Sequence, residues 1–187
     1  MMKVDAAELK IAEQTIRTLK TAAPRVFASA LNRTAQGVKT EAVKKVRETY
    51  EVKATDIRPL VKVRHKASAQ DLRAEVASSG RSIPLIRFKT NPRNVPKRAP
   101  KSLKATVKKG AAKLIKGAFV TKAGGHVGVF SRVGKKRLPI EQLYGPAMPV
   151  MLNQPGVISH LRKEAQQRLK TRMDHEVKRV LERKGSK

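Results

Sequence analysis

The sequence has no cysteine, no tryptophan and only six aromatic residues among 187. Without thiols there is no disulfide framework, and no zinc site that needs thiolates. The four histidines (65, 126, 160 and 175) are far apart, with no H-E-x-x-H pattern. No metal site and no cofactor are therefore expected. No run of about 18 apolar residues occurs, so neither a transmembrane helix nor a membrane partner is expected. The opening residues, MMKVDAAELKIAEQ, lack the apolar stretch of a secretory signal, so action without export by that route is expected. The aromatics (Phe27, Tyr50, Phe88, Phe119, Phe130 and Tyr144) are dispersed, mostly beside aliphatic residues. A base-stacking platform needs clustered rings, so any nucleic-acid contact should go to phosphates without sequence readout.

Acids are scarce as well. Fourteen Asp and Glu face 43 Lys and Arg, for a formal charge of +29. From Val76 to Ile140, sixty-five residues, there is no acid, and seventeen cations fall there. Fourteen of these are candidate DNA-facing residues: Arg81, Arg87, Lys89, Arg93, Lys97, Arg98, Lys101, Lys104, Lys108, Lys109, Arg132, Lys135, Lys136 and Arg137. The others are Lys113, Lys116 and Lys122. Two unit charges about 10 Å apart in water repel by only about 0.4 kcal/mol, but many such pairs add to a destabilising field. A polyanion relieves it, and nucleic acid is the commonest. A few lysines would read as a solvated basic face. So long a stretch without one acid favours an anionic partner.

Tests for catalysis fail in turn. A phosphate loop needs G-x-x-x-x-G-K-[ST]; Gly128 to Lys136 has one residue too many between its glycines and ends in Lys. No G-x-S-x-G elbow exists. Metal-assisted attack on nucleic acid needs clustered carboxylates, and the basic centre has none before Glu141. No catalytic residue is assigned and no enzyme is expected.

Hydrophobic periodicity predicts an α+β chain: N-terminal helices, a central, mostly antiparallel β-sheet with a basic extended loop, and a long C-terminal helix. Residues 5–49 read as helical, with Leu9, Ala12, Ile16, Leu19 and Ala23 on one stripe and Val26, Ala30, Leu31, Ala35, Val38, Ala42 and Val46 continuing an apolar face. Pro24 allows either a second helix capped by Thr21 or one kinked helix. Thr55 is placed to cap a short turn at 55–61. Strands are expected at 60–65, 72–78, 83–88, 103–109, 113–122 and 126–133. Ala123-Gly124-Gly125 forms a hairpin turn. Residues 90–102 hold three prolines and four cations and read as an extended arm, able to reach about 40 Å fully stretched. With prolines at 139, 146 and 149, residues 138–152 read as extended. A helix over 155–184 carries Leu161, Ala165, Leu169, Met173 and Val177, then Val180.

Part of the centre carries a signature. Lys116-Gly117-Ala118-Phe119-Val120, Gly128-Val129-Phe130, Arg132-x-Gly134-Lys135, Arg137-Leu138-Pro139-Ile140 and Leu143-Tyr144-Gly145-Pro146 together resemble the prophage minor tail protein Z family, the tail-completion proteins of long-tailed bacteriophages. Ala30-Leu31-Asn32-Arg33 and the long last helix also fit. The 90–102 arm departs from the pattern, so no role carries over there.

The resemblance implies one tail-completion domain over 1–187, with the β-rich basic centre at 60–150. It implies a virion structural protein, made in the host cytoplasm, at the head-proximal end of the tail. There copies would form a ring, sixfold like the tail, joining tail to head. Its partners would be itself, a tail terminator or tail tube, head-tail connector proteins and double-stranded DNA. In the matched block, Phe119 and Phe130 would anchor the sheet. Leu138, Pro139, Ile140, Tyr144 and Pro146 would pack on the sheet or dock on a neighbouring subunit or the tail; intradomain core fits them equally well. Gly117 and Gly128 would mark a bulge or a close backbone approach. The competing reading is a non-sequence-specific nucleic-acid binder of the nucleoid or ribosome-associated kind.

Overall fold

The computed structural model describes residues 6–98 and 102–185, leaving out the side chains of 6–16, 18, 19 and 183–185. The early stripe at Leu9, Ala12, Ile16 and Leu19 lies outside the described side chains, and Lys101 lies outside the described residues.

The fold is α+β. Helix α1 (Ala6–Thr49) is followed by α2 (Ala54–Ile57) and a 3-10 turn (Arg58–Leu60). Strands β1 (Val61–His65) and β2 (Glu75–Ser78) precede a second 3-10 turn (Leu85–Arg87). Then come β3 (Lys89–Asn91), β4 (Ser102–Thr106), β5 (Ala112–Lys116), β6 (Ala118–Ala123), β7 (His126–Arg132) and β8 (Ile140–Gln142). Two helices close the chain, α3 (Met148–Leu152) and α4 (Pro155–Gly185). The strands form three small antiparallel sheets, β1-β2, β3-β4-β5 and β6-β7-β8.

Pro24 lies inside α1, so the chain takes one helix rather than two. The Thr21 hydroxyl donates to the Arg17 carbonyl at 2.9 Å, one turn back, and caps nothing. Nor does Thr55 cap α2: Lys53 holds that position, without a side-chain bond.

Two compact units divide the chain. Unit 1 comprises the described parts of Met1–Lys39, Val63–Val76 and Leu161–Lys187. Two residues of the Ala30-Leu31-Asn32-Arg33 stretch organise it. Asn32 Nδ2 donates to the Ala67 carbonyl and Asn32 Oδ1 accepts the Ala67 N–H, both at 2.8 Å. A side-chain amide thus pairs with an irregular segment as a neighbouring strand would. Arg33 Nε lies 3.2 Å from Oε1 of Glu176, whose side chain is 3% exposed. Arg179 Nη2 reaches the other carboxylate oxygen at 2.6 Å, and the Ser29 hydroxyl donates to Oε1 at 3.0 Å. A buried carboxylate needs such company, because desolvation penalises a lone charge.

Unit 2 comprises Thr40–Lys62 and Ala77–His160. Its fully buried side chains include Val46, Ile57, Phe88, Leu103, Val129, Met148 and Met151. Tyr50 and Val52, just past α1, form single bridges to Lys108 and Phe88. The hairpin between β6 and β7 turns on Gly124 and Gly125, both at positive φ (57° and 81°), as a type I′ turn demands.

Three expected strands are corrected. Residues 83–88 form a 3-10 turn, not a strand: three residues per turn bring Leu85 and Phe88 to the same side, and both are buried. The run 113–122 is two strands in different sheets, parted at Gly117, whose φ of 72° only glycine adopts cheaply. Residues 138–152 are extended only in part. After β8 the chain enters α3, with Pro149 in the first turn, where a missing N–H costs no bond.

Candidate nucleic-acid interface

Strand alternation sorts the β3-β4-β5 sheet into two faces. Thr90 pairs with Ala105, and Ala105 with Lys113; Leu103 pairs with Ile115. Of these, Thr90, Leu103 and Ala105 are buried. The opposite face carries Lys89 beside Thr106, Asn91 beside Lys104, Lys104 beside Leu114, and Ser102 beside Lys116. Lys104 therefore sits diagonal to both Lys89 and Lys116, a spacing of about 7–8 Å. All three lysines are exposed, and no acid shares the face. Leu114, 61% exposed, lies among them.

A second basic group occupies the loop between β7 and β8. The Val133 N–H donates to the Pro139 carbonyl at 3.2 Å, closing a loop that exposes Lys135, Lys136 and Arg137. At its base the Arg132 guanidinium stands 4.8 Å from the centroid of the Phe119 ring. Residues 119 and 130 are direct partners, so 132 lies diagonal to 119 on the same face, and the ring quadrupole holds the cation there. Further along that face, Phe130 and Gln142 leave no room over Gly128, where a Cβ would stand 2.8 Å from the Phe130 ring. This is the close approach expected at Gly128.

The remaining candidates are spread over unit 2. Lys108 lies 5.9 Å from the Tyr50 ring centroid, and the Lys109 N–H donates to the Thr49 carbonyl at 2.9 Å. Burial raises the Tyr50 phenol above its ordinary pKa. Arg81, Arg93, Lys97 and Arg98 are exposed, the last three on a stretch that is neither helix nor strand. All sixteen described cations of the acid-free stretch are exposed. Among the described residues only Arg87 has a carboxylate partner, Asp56 at 3.0 Å. The structure thus brings Lys89, Lys104 and Lys116 onto one face and gathers Arg132 with 135–137 at another loop. Lys116 was left out of the candidate set; the β4–β5 register reveals it.

Of the docking candidates, Leu138 is 65% and Tyr144 54% exposed, Pro139 is exposed, and Ile140 and Pro146 are half-buried. The Tyr144 hydroxyl donates to Gln142 Oε1 at 3.0 Å. Its ring borders an apolar cavity of ≈480 Å³ with Leu85, Ala105, Val107, Ile115 and Leu143.

No group of three or more His, Asp or Glu among the described residues is placed to hold a metal ion, and no described helix is long and apolar enough to cross a membrane. The family model described as Prophage minor tail protein Z (GPZ) matches residues 9–185. No curated protein and no solved structure matches the chain.

Proposed function

The chain belongs to the prophage minor tail protein Z family, and from that premise we propose that it is a tail-completion subunit whose copies form a ring at the head-proximal end of the tail and present a basic surface to the genome. Membership already makes it a structural component of a phage tail. The finer reading places it between tail tube or terminator and the head-tail connector, with duplex DNA against the lysines of the β3-β4-β5 face.

One observation carries the DNA contact: sixteen described cations stand in water and one carboxylate answers them. Such a surface gains free energy by exchanging counterions for phosphates. No turnover is involved; the work is geometry and charge. The ring reading rests on the family and on apolar side chains left in solvent, Leu114, Val133, Leu138, Tyr144 and Val150. A heterologous contact between copies would bury some of them.

Electron microscopy of tails carrying a tagged copy tests placement and assembly together. The tag is expected as a closed ring at the head-proximal end. Scattered monomers, or a ring at the distal tip, would overturn the reading.

A further inference from the structure

A polar cavity of ≈410 Å³ opens in unit 2. Three separate stretches line it: Lys53, Thr55 and Asp56 at α2, Arg87 from the 3-10 turn, and Arg93 and Asn94 after β3. Asp56 Oδ1 accepts from Arg87 Nη1 at 3.0 Å. That pair is neutral as a unit, and the carboxylate fixes the guanidinium. Lys53 and Arg93 have no carboxylate partner among the described residues. The cavity therefore collects two uncompensated positive charges, a hydroxyl and a side-chain amide.

This donor set selects its ligand by chemistry. A cation would be repelled, and an apolar group would strip water from the charges without replacing it. A tetrahedral oxyanion offers several acceptor oxygens to ammonium, guanidinium, hydroxyl and amide donors at once. Arginine's planar fork suits phosphate in particular. The cavity is larger than a bare phosphate needs, which leaves room for groups esterified to it.

We propose that this cavity seats one phosphate of a nucleic-acid backbone. The proposal rests on the DNA-contact reading above and makes it specific. The open lysine face offers diffuse charge. The cavity offers a fixed donor set from three segments, and a phosphate held there sets the register of the strand against the protein.

The test uses the full chain with inorganic phosphate as probe. Phosphate is titrated at constant ionic strength and followed by amide NMR. Saturable shifts are expected at Lys53, Thr55, Arg93 and Asn94, and their loss is expected in Lys53→Ala/Arg93→Ala. Both replaced side chains are exposed, and circular dichroism checks that the fold is kept. In a second arm, the log–log salt slope of duplex DNA affinity should fall by about 1.8 in this variant, at about 0.9 per phosphate contact. Duplex DNA should also displace inorganic phosphate. Lys104→Ala/Lys116→Ala should lower the slope while leaving the phosphate shifts intact.

If DNA binds with the same slope in Lys53→Ala/Arg93→Ala and no phosphate saturation occurs, the cavity proposal is wrong and the DNA reading stands. Saturable phosphate without any DNA binding overturns the nucleic-acid source, leaving free phosphate as the ligand, and the DNA reading falls with it.

Discussion

A Cβ placed on Gly145 would stand 2.5 Å from Cε2 of Phe88 and 3.0 Å from its Cζ. Phe88 is 1% exposed, so its ring has nowhere to retreat. The glycine is there for space. Gly145→Ala should cost about 1–3 kcal/mol, the range for overpacking a well-filled core. The readout is the denaturant midpoint at unchanged m-value. Phe88→Leu in the same chain should recover part of the loss, and an unmoved midpoint in the single variant would contradict the packing.

Glu176 predicts an asymmetry. Arg33→Ala with Arg179→Ala leaves a buried carboxylate held only by the Ser29 hydroxyl, and should cost about 3 kcal/mol or more. Glu176→Gln instead returns two half-exposed guanidiniums to water and should cost about 1 kcal/mol. Chemical denaturation of both variants decides it. A larger loss in Glu176→Gln would mean that the arginines are not what compensates the burial.

Tyr50 makes stability fall in alkali. Its phenol is raised by burial, so the folded chain keeps its proton to higher pH than the unfolded chain does. Above about pH 10 the unfolded chain binds fewer protons, and stability drops as pH climbs toward the raised folded value. Below that window the contribution is fully present. Tyr50→Phe should remove this part of the decline, seen as a wild-type-minus-variant difference that shrinks as pH rises. A pH-independent difference would refute the assignment.

Lys97 and Arg98 are exposed on a stretch without helix or strand. Trypsin should cut there early in the free protein and lose access in assembled tails, because a partner or DNA orders the arm. Equal cleavage in both states would argue that the arm stays open after assembly.

Much of this was legible in the residues. The long terminal helices, the Gly124-Gly125 turn and the basic centre follow from periodicity, turn chemistry and charge. What escaped has identifiable causes. Leu85 and Phe88 share a side in a 3-10 turn, a spacing that residue alternation mimics. Pro149 reads as a breaker, yet a proline in a helix's first turn loses no bond. Gly117 divides one apolar run between two sheets through a single positive φ. Glu176 hides in a charged helix, because its burial depends on Ser29 and Arg33, far away in sequence. Lys53 gave no signal at all, since its cavity exists only once three distant segments meet.

Salt dependence of duplex DNA binding, compared between the native chain and Lys89→Ala/Lys104→Ala/Lys116→Ala, bears most directly on the idea that the lysine face meets the genome. A steep native slope is expected, reduced by about 2.7 in the triple variant at about 0.9 per lost phosphate contact. A native slope near zero, or the same slope in both proteins, would contradict it.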